Sequence, residues 1–541
     1  HMDSGGGTTI QDSHLPSGNW TGAVVRVKTI RWLLLSRRVT GSSGNSLTLN
    51  DSIDCWGQCG DPDGSGAGYG WGYHLVNHRA TLDQPGEWFF DRAKNRLYVV
   101  APTAPTNIEA SAIAADVENT DDLRSRGSIN LGKDMQDPIS WVVVENLRVM
   151  NHYLSGIAAP TNFHASDNHD LVIRCNTIVN PEEIGISLGS WVYECSGCTD
   201  DWYGGKNLVI SNNVIDGPNR HGILTRAVDT VFQENTIRNV GQLANLGEKG
   251  LGCGFEGANC TEHGDGVLMT GASNVVFRRN RIEAAGYCGF DIFGSNILLD
   301  GNVIDRACST KGDCGAIRTF GGDSMASTHT HDVTLRGNII RDVVGPTAGD
   351  NSEFAELFGF GLYVDNNSRD VLSEGNVIAR TTAAGILYQN SSGKITSNLV
   401  FDTKNAGREA VALSGTTSVS AFSKNSIVVI SPDVVAIRSE AGLLTGSDSN
   451  IFFSPYNAKP ISIGGDLTLE EWQAKSGQDK NSTAAWYSLA KGVAPNVELF
   501  VNDTGSAISQ TLTGSYRDLR NQAVSSPVSI AAYSGVALVK Q

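Results

Sequence analysis

Four aspartates, Asp265, Asp291, Asp313 and Asp365, recur in or beside a run of glycine-led segments. Paired carboxylates suit a reaction in which one group must hold a proton while another carries charge. The segments are Gly266-Val267-Leu268-Met269, Gly289-Phe290-Asp291-Ile292, Gly315-Ala316-Ile317-Arg318, Gly361-Leu362-Tyr363-Val364 and Gly385-Ile386-Leu387-Tyr388. If the residue after each glycine points inward, strand alternation sends the second and fourth outward. The outward set then holds Asp291 and Tyr363 at the second position and Arg226, Asp365 and Gln389 at the fourth. His221 and Asp265 stand just before glycines, Asp313 one residue further back, and Arg318 falls where an inward side chain is expected. A buried Arg needs a carboxylate partner, so Arg318 either fixes a catalytic acid or closes a structural ion pair. Each Asp beside a glycine has a structural alternative as a turn-former bonding its own backbone.

What would bring these segments together is a repeat. An apolar run, an Asn and two more apolar residues return at Asn146, Asn176, Asn213, Asn235, Asn280, Asn302, Asn338, Asn376, Asn398 and Asn425. The shortest step recurs as 22 residues, at Asn213 to Asn235, Asn280 to Asn302 and Asn376 to Asn398, and longer steps equal coils plus inserted loops. Such a coil is too short for a strand-helix-strand crossover but suits three short strands and three turns of a right-handed parallel β-helix. The repeated Asn is then expected to stack as a side-chain amide ladder. Neighbouring strands lie about 4.8 Å apart, so acids from adjacent coils can fall within the roughly 5 to 9.5 Å that separates paired carboxylates in glycoside hydrolysis.

Composition fits a large β protein: 541 residues, 61 glycines and 15 prolines. No apolar run approaches the roughly 18 residues of a membrane span, so no membrane partner is expected. A net charge of -16 argues against nucleic acid, whose phosphates demand basic surfaces. The ten cysteines include the close pairs Cys55/Cys59, Cys195/Cys198 and Cys253/Cys260, with Cys288, Cys308 and Cys314 on adjacent coils and Cys175 apart. Loop-tied pairs point to disulfides and an oxidising, extracellular or periplasmic compartment. Zinc is the rival for Cys195-Ser-Gly-Cys198, but no second pair stands at a matching interval. His1-Met2 reads as a cloning remnant.

Along the chain, residues 3–102 read as an N-terminal β module, with a hairpin from Glu87-Trp88-Phe89-Phe90-Asp91 into Arg96-Leu97-Tyr98-Val99-Val100. Residues 103–465 read as the β-helix. Its long insertions make cleft walls, one holding Trp191 and Trp202 as sugar-stacking candidates, another Glu256, Glu262 and His263. Residues 466–541 read as a short helix opening at Thr468, with Glu471 three residues on, followed by a small β domain that closes the solenoid's open end.

The coils, the Gly-Glu-Trp-Phe-Phe-Asp hairpin module and the terminal Phe-Val-Asn-Asp-Thr-Gly segment together resemble the secreted bacterial right-handed parallel β-helix carbohydrate-active proteins. That pectate-lyase-like superfamily holds lyases and several glycoside hydrolase families. Gly361-Leu362-Tyr363-Val364-Asp365 is similar to a segment that ends in a catalytic aspartate in some β-helix glycosidases. In the β-xylosidase-like relatives a glutamate follows about one coil later, where this chain has Tyr388-Gln389, so the partner acid must come from Asp313, Asp291 or Asp265.

Three functions follow. A glycoside hydrolase of polysaccharides or oligosaccharides would use two of the aspartates, with His221, Arg226, His263, Arg318, Tyr363, Trp191, Trp202 and Gln389 binding substrate or orienting an acid. A polysaccharide lyase needs a base plus cations or calcium to hold a uronate carboxylate; Arg226, Arg318 and His221 could serve it, but the rungs carry no compact basic cluster and no calcium cage. A non-catalytic glycan-binding β-helix would tolerate loss of the acids. The acid-rich rungs favour the hydrolase, which needs no cofactor.

Overall fold

A computed structural model describes the chain except residues 54–69, 92, 107–126, 133–138, 153, 160–167, 189–204, 243–258, 261–263, 323–329, 355 and 405–408. Its centre is a stack of coils whose strands pair in parallel, coil on coil, in a 22-stranded and a 12-stranded sheet. Register explains the stack. The residue after each glycine, or after Ala316 in one coil, forms one inward column, in which Ile223, Val267, Phe290, Ile317, Leu362 and Ile386 follow one another in the ladder. All of them belong to one buried cluster running the length of the solenoid. Each coil therefore buries its apolar edge on the next, which is how so long a core stays single.

The amide ladder is present. From Asn176 to Asn425 each Asn donates from Nδ2 to the Oδ1 of the Asn one coil on, as Asn280 does to Asn302 at 3.0 Å and Asn302 to Asn338 at 3.0 Å. Two details differ from expectation. Asn146 is not a rung: Leu147 holds the ladder position and donates its N–H to Asn176. The ladder also continues to Asn450, which donates to Asp479 at 3.0 Å. Asn146 instead occupies the position just before the rung, where the backbone is left-handed in every coil, whether the residue is Cys175, Glu234, Arg279, Gly301 or Lys424. That corner turns the chain from one sheet into the other.

The N-terminal module is an antiparallel sheet in which Val24–Ile30 lies between Leu33–Ser43 and Tyr73–Val76. Met2 is buried in its core beside Ile10 and Trp71. The Trp88–Asp91 and Arg96–Val99 strands form the expected hairpin. The strand Asn259–Cys260, from the loop before Asp265, pairs antiparallel with Leu33–Ser43. The module is thus tied to the loops over the coils.

The terminal β domain lies elsewhere than expected. Val497, Leu519, Ala537 and Val539 pack on Val303, Ile339, Val377 and Leu399, along the flank of the solenoid. The open end is closed by the helix Leu469–Ser476, whose Leu469 and Trp472 enter the main core. Thr468 and Glu471 make the capping box read from the sequence, and Gly477 ends the helix in the left-handed conformation. A helix closes an end well because it satisfies its own backbone and offers no edge. Among the described residues, no helix is long and apolar enough to cross a membrane.

Candidate active site

The second position after the glycine forms a column with a polar stretch flanked on both sides by leucines. Leu224, Leu268, Asp291, Arg318, Tyr363 and Leu387 succeed one another in register. Arg318 is therefore not inward. Gly315 lies opposite Phe360 and Ile317 opposite Leu362, which leaves Ala316 where the neighbouring coils have glycine. The extra glycine one residue upstream disguised this register, and it moves Arg318 by one residue to the outward face between Asp291 and Tyr363.

There Arg318 joins two acids. Nη1 donates to Asp291 Oδ2 at 3.1 Å, while Nε and Nη2 donate to Asp365 Oδ2 at 3.3 and 3.2 Å. Asp365 stands in the next outward column, opposite Phe320, and its Oδ1 accepts the Asn366 N–H at 2.8 Å. Phe320 and Phe293 lie beside the guanidinium, its Cζ 4.9 and 6.0 Å from their ring centres. The Asp291 side chain has no exposed surface, whereas those of Arg318 and Asp365 keep 11% and 7%.

Asp313 comes to the same place from a loop closed by the disulfide Cys308–Cys314. Its N–H donates to Phe358 O at 2.9 Å, and its backbone carbonyl accepts the Tyr287 hydroxyl at 3.0 Å. Its carboxyl accepts the Tyr363 hydroxyl at 3.3 Å. Tyr287, Phe293 and Phe320 escaped the sequence reading. The two phenylalanines share an outward column with Asp365, a relation visible only once register is known.

Burial and mutual charge set the protons. Burial pushes Asp291 up to about 7; Arg318 opposes this, and the charges of Asp265 and Asp365 add to it. Asp313 is pushed up to about 6 by burial and by Asp365, against Arg318, Arg31 and the Tyr363 hydrogen bond. Burial works against the charge on Arg318, but Asp291, Tyr287 and Asp365 outweigh it and hold the guanidinium protonated.

His221 and Asp265 form a second centre. They are opposite one another in the ladder, fully buried, with His221 Nδ1 3.2 Å from Asp265 Oδ2. Arg220 Nε donates to His221 Nε2 at 3.2 Å, and Asp265 Oδ1 accepts the Cys288 N–H at 3.0 Å. Asp265, Cys288 and Asp291 also bring one ligand atom each within 4.8 Å of one another. Those atoms do not make a ready cation site: Asp291 is held by Arg318, and burial with the charges of Asp291 and Asp265 pushes the Cys288 thiol up, keeping it protonated.

Gln389 follows Asp365 on the next coil. Arg226 is in that column but four coils earlier, roughly 19 Å away at about 4.8 Å per coil, so it is not part of the same cluster. His263, Trp191 and Trp202 lie outside the described residues.

Residues 201–427 match the family model "Right handed beta helix region", which gives the solenoid its hand. No curated protein matches the chain. Among solved structures, the chain is similar to a mannuronan C-5 epimerase A-module from Azotobacter vinelandii, with 12% identity over 65% of this chain and 81% of that one, at a TM-score of 0.38. It is also similar to the catalytic unit of a thermostable α-1,3-glucanase from Streptomyces thermodiastaticus, with 11% identity over 91% and 88% of the two chains and a TM-score of 0.31. A surface adhesin of Streptococcus pneumoniae aligns with 11% identity over 71% and 82%, at a TM-score of 0.31.

Proposed function

We propose that this right-handed parallel β-helix protein is a glycoside hydrolase acting on a polysaccharide or oligosaccharide outside the cytosol. The observation that carries the reading is that Arg318 and Tyr363, opposite one another in the ladder, hold one carboxyl each, Arg318 that of Asp365 and Tyr363 that of Asp313. Asp313 is a carboxyl raised to about 6, in part by the charge of Asp365; Asp365 meets Arg318 and the Asn366 N–H as an acceptor. Two carboxyls in environments that differ in this way divide into an acid and a base.

In this reading Asp313 gives its proton to the leaving glycosidic oxygen as the bond to the sugar breaks. Asp365 either attacks the sugar carbon or takes a proton from the water that does. Arg318 orients Asp365, and Asp291 balances Arg318 from beneath. The Cys308–Cys314 disulfide supports an oxidising compartment. A lyase would need a cation free to hold the substrate's carboxylate, and Arg318 is already engaged by two acids.

Incubation with a panel of plant and algal polysaccharides tests the reading. A hydrolase releases reducing ends without ultraviolet-absorbing unsaturated ends. Appearance of the unsaturated ends would make it a lyase, and silence on every glycan would leave a binding protein.

A further inference from the structure

We propose that Arg31, supplied by the N-terminal module, is a positioning residue of this site, a cation set over the coil beside Asp313 that tunes how that carboxyl holds its proton. The inference rests on the reading of Asp313 as proton donor.

The module is docked by contacts that leave little freedom. Lys28 Nζ meets Asp350 Oδ1 at 2.5 Å and donates to Ala348 O at 3.1 Å. Gly72 N donates to Gly349 O at 2.8 Å, and a Cβ on Gly72 would lie 2.5 Å from Gly349 Cα, so the two backbones touch. Arg31 follows the strand Val24–Ile30 and projects from this docked edge. Its Cζ lies 4.3 Å from the Phe358 ring centre and 5.0 Å from that of Phe354. Phe358 is the residue whose carbonyl accepts the Asp313 N–H. The cation is thereby set beside the coil position that neighbours Asp313.

Arg31 is placed rather than consumed. Its Nη2 reaches Glu356 O at 3.4 Å, and its Nε stands 3.9 Å from Asp350 Oδ2 and donates to no acceptor among the described residues. Lys28 is the nearer cation to the buried Asp350, with Nζ 2.5 Å from Oδ1 against 3.9 Å for Arg31 Nε and Oδ2. A guanidinium stacked on aromatic rings keeps its charge while half-buried, which suits a fixed source of positive potential.

The charged and titratable groups around Asp313 come from several elements. Asp365, Arg318, Tyr363 and Tyr287 belong to the coils, whereas Arg31 comes from the module. Lys28 and Asp350 face Arg31 from its docked side, and Lys311, two residues before Asp313 in the disulfide loop, holds its Nζ 4.2 Å from the Tyr287 ring centre. Arg31 and Arg318 both favour the ionised form, against burial and Asp365. Removing Arg31 strengthens the hold of Asp313 on its proton. A general acid works while protonated, so the alkaline limb of the activity profile moves to higher pH.

The test uses the full chain with Arg31→Met, which keeps an apolar stem over Phe358, together with Arg31→Lys and Arg31→Gln. The alkaline limb of kcat/KM should rise by about half a pH unit in the Met and Gln variants and return with Lys. An unmoved limb, or Lys behaving as Met does, overturns the proposal. Carboxyl titration by NMR of protein labelled at aspartate, with the Asp313 signal assigned by its loss in Asp313→Asn, gives a readout independent of turnover. If Asp313→Asn keeps full activity while its signal still shifts in Arg31→Met, the hydrolase reading fails and the coupling stands. If Asp313→Asn is inactive and the signal does not shift, the role of Arg31 fails alone.

Discussion

Arg318 grips Asp365 twice on one oxygen, Nε at 3.3 Å and Nη2 at 3.2 Å from Oδ2, and leaves Oδ1 to the backbone N–H of Asn366. A carboxylate so held cannot rotate away, and its orientation is set before any substrate arrives. The third contact of Arg318 goes to Asp291, from Nη1 to Oδ2 at 3.1 Å.

Asp365→Asn preserves shape and one of the two acceptor oxygens, so the fold should persist with a cost of about 1–3 kcal/mol, while turnover falls at least about a thousandfold. Reducing-end assays beside thermal melts check this. Undiminished turnover in a folded variant would remove Asp365 from the mechanism.

Arg318→Met takes the cation from two buried acids and should destabilise the protein by roughly 3–5 kcal/mol. Adding Asp291→Asn removes one of the stranded charges and should recover part of that loss. Denaturant midpoints for the two single variants and the double variant measure the coupling. Simple additivity would mean that the two residues do not depend on one another.

Stability should fall as pH rises from about 4 to about 7. Asp291 has a folded-state pKa of about 7 against an ordinary value of 3.8, and Asp313 one of about 6. Each raised carboxyl stabilises the folded state most below the ordinary value, because the folded chain holds a proton the unfolded chain releases. That contribution is lost between about pH 4 and the folded value, with Asp291 acting over the upper part of the range. Asp291→Asn should flatten the slope between about pH 5 and pH 7, and identical slopes in the two proteins would contradict the assignment.

Asn302→Ala interrupts the amide ladder. Asn302 Nδ2 donates to Phe277 O at 3.0 Å and to Asn338, while its Oδ1 accepts from both the N and Nδ2 of Asn280. Several buried polar groups lose partners at once, so the cost should exceed about 3 kcal/mol. Hydrogen exchange at the Asn280 amide should quicken in the variant; unchanged protection there would mean that water or a relaxed backbone replaces the bond.

The period was legible because its residues are chosen by the ladder itself: a buried Asn at each rung can be replaced only by something that both donates and accepts. The inward column was legible for the same reason, since Val267, Phe290 and Leu362 must be apolar. Register was not fully legible. Ala316 fits at a position that is glycine in the coils on either side, and Gly315 beside it suggests the wrong alignment, which places Arg318 on the wrong face. Asn146 misled for a like reason, because Asn suits both the rung and the left-handed corner before it.

The acids were found but their grouping was not. Asp291, Asp365 and Asp313 meet because Arg318 reaches across two columns and because a disulfide loop turns Asp313 back onto the coils, neither of which is a spacing in the sequence. The closure of the solenoid was assigned to the wrong element, although the capping box that marks the helix was read correctly. Nothing local to Leu469 or Trp472 says that they will enter another element's core.

The left-handed corner before each rung leaves room for engineering. Where the corner holds Gly301 the geometry is free, but Cys175, Glu234, Arg279 and Lys424 each bear a side chain in a conformation that costs roughly 1 kcal/mol. These four positions are repeats of one another, so a single kind of replacement, by Gly or Asn, applies to all of them, and the gains should sum along the stack except at Glu234 and Arg279, which pair across adjacent coils at 3.9 Å. At Cys175 the exchange also removes an exposed free thiol. A solenoid offers this economy because one local solution, once found, can be copied coil by coil, and none of the four corners belongs to the Asp291, Arg318, Asp313 and Asp365 cluster.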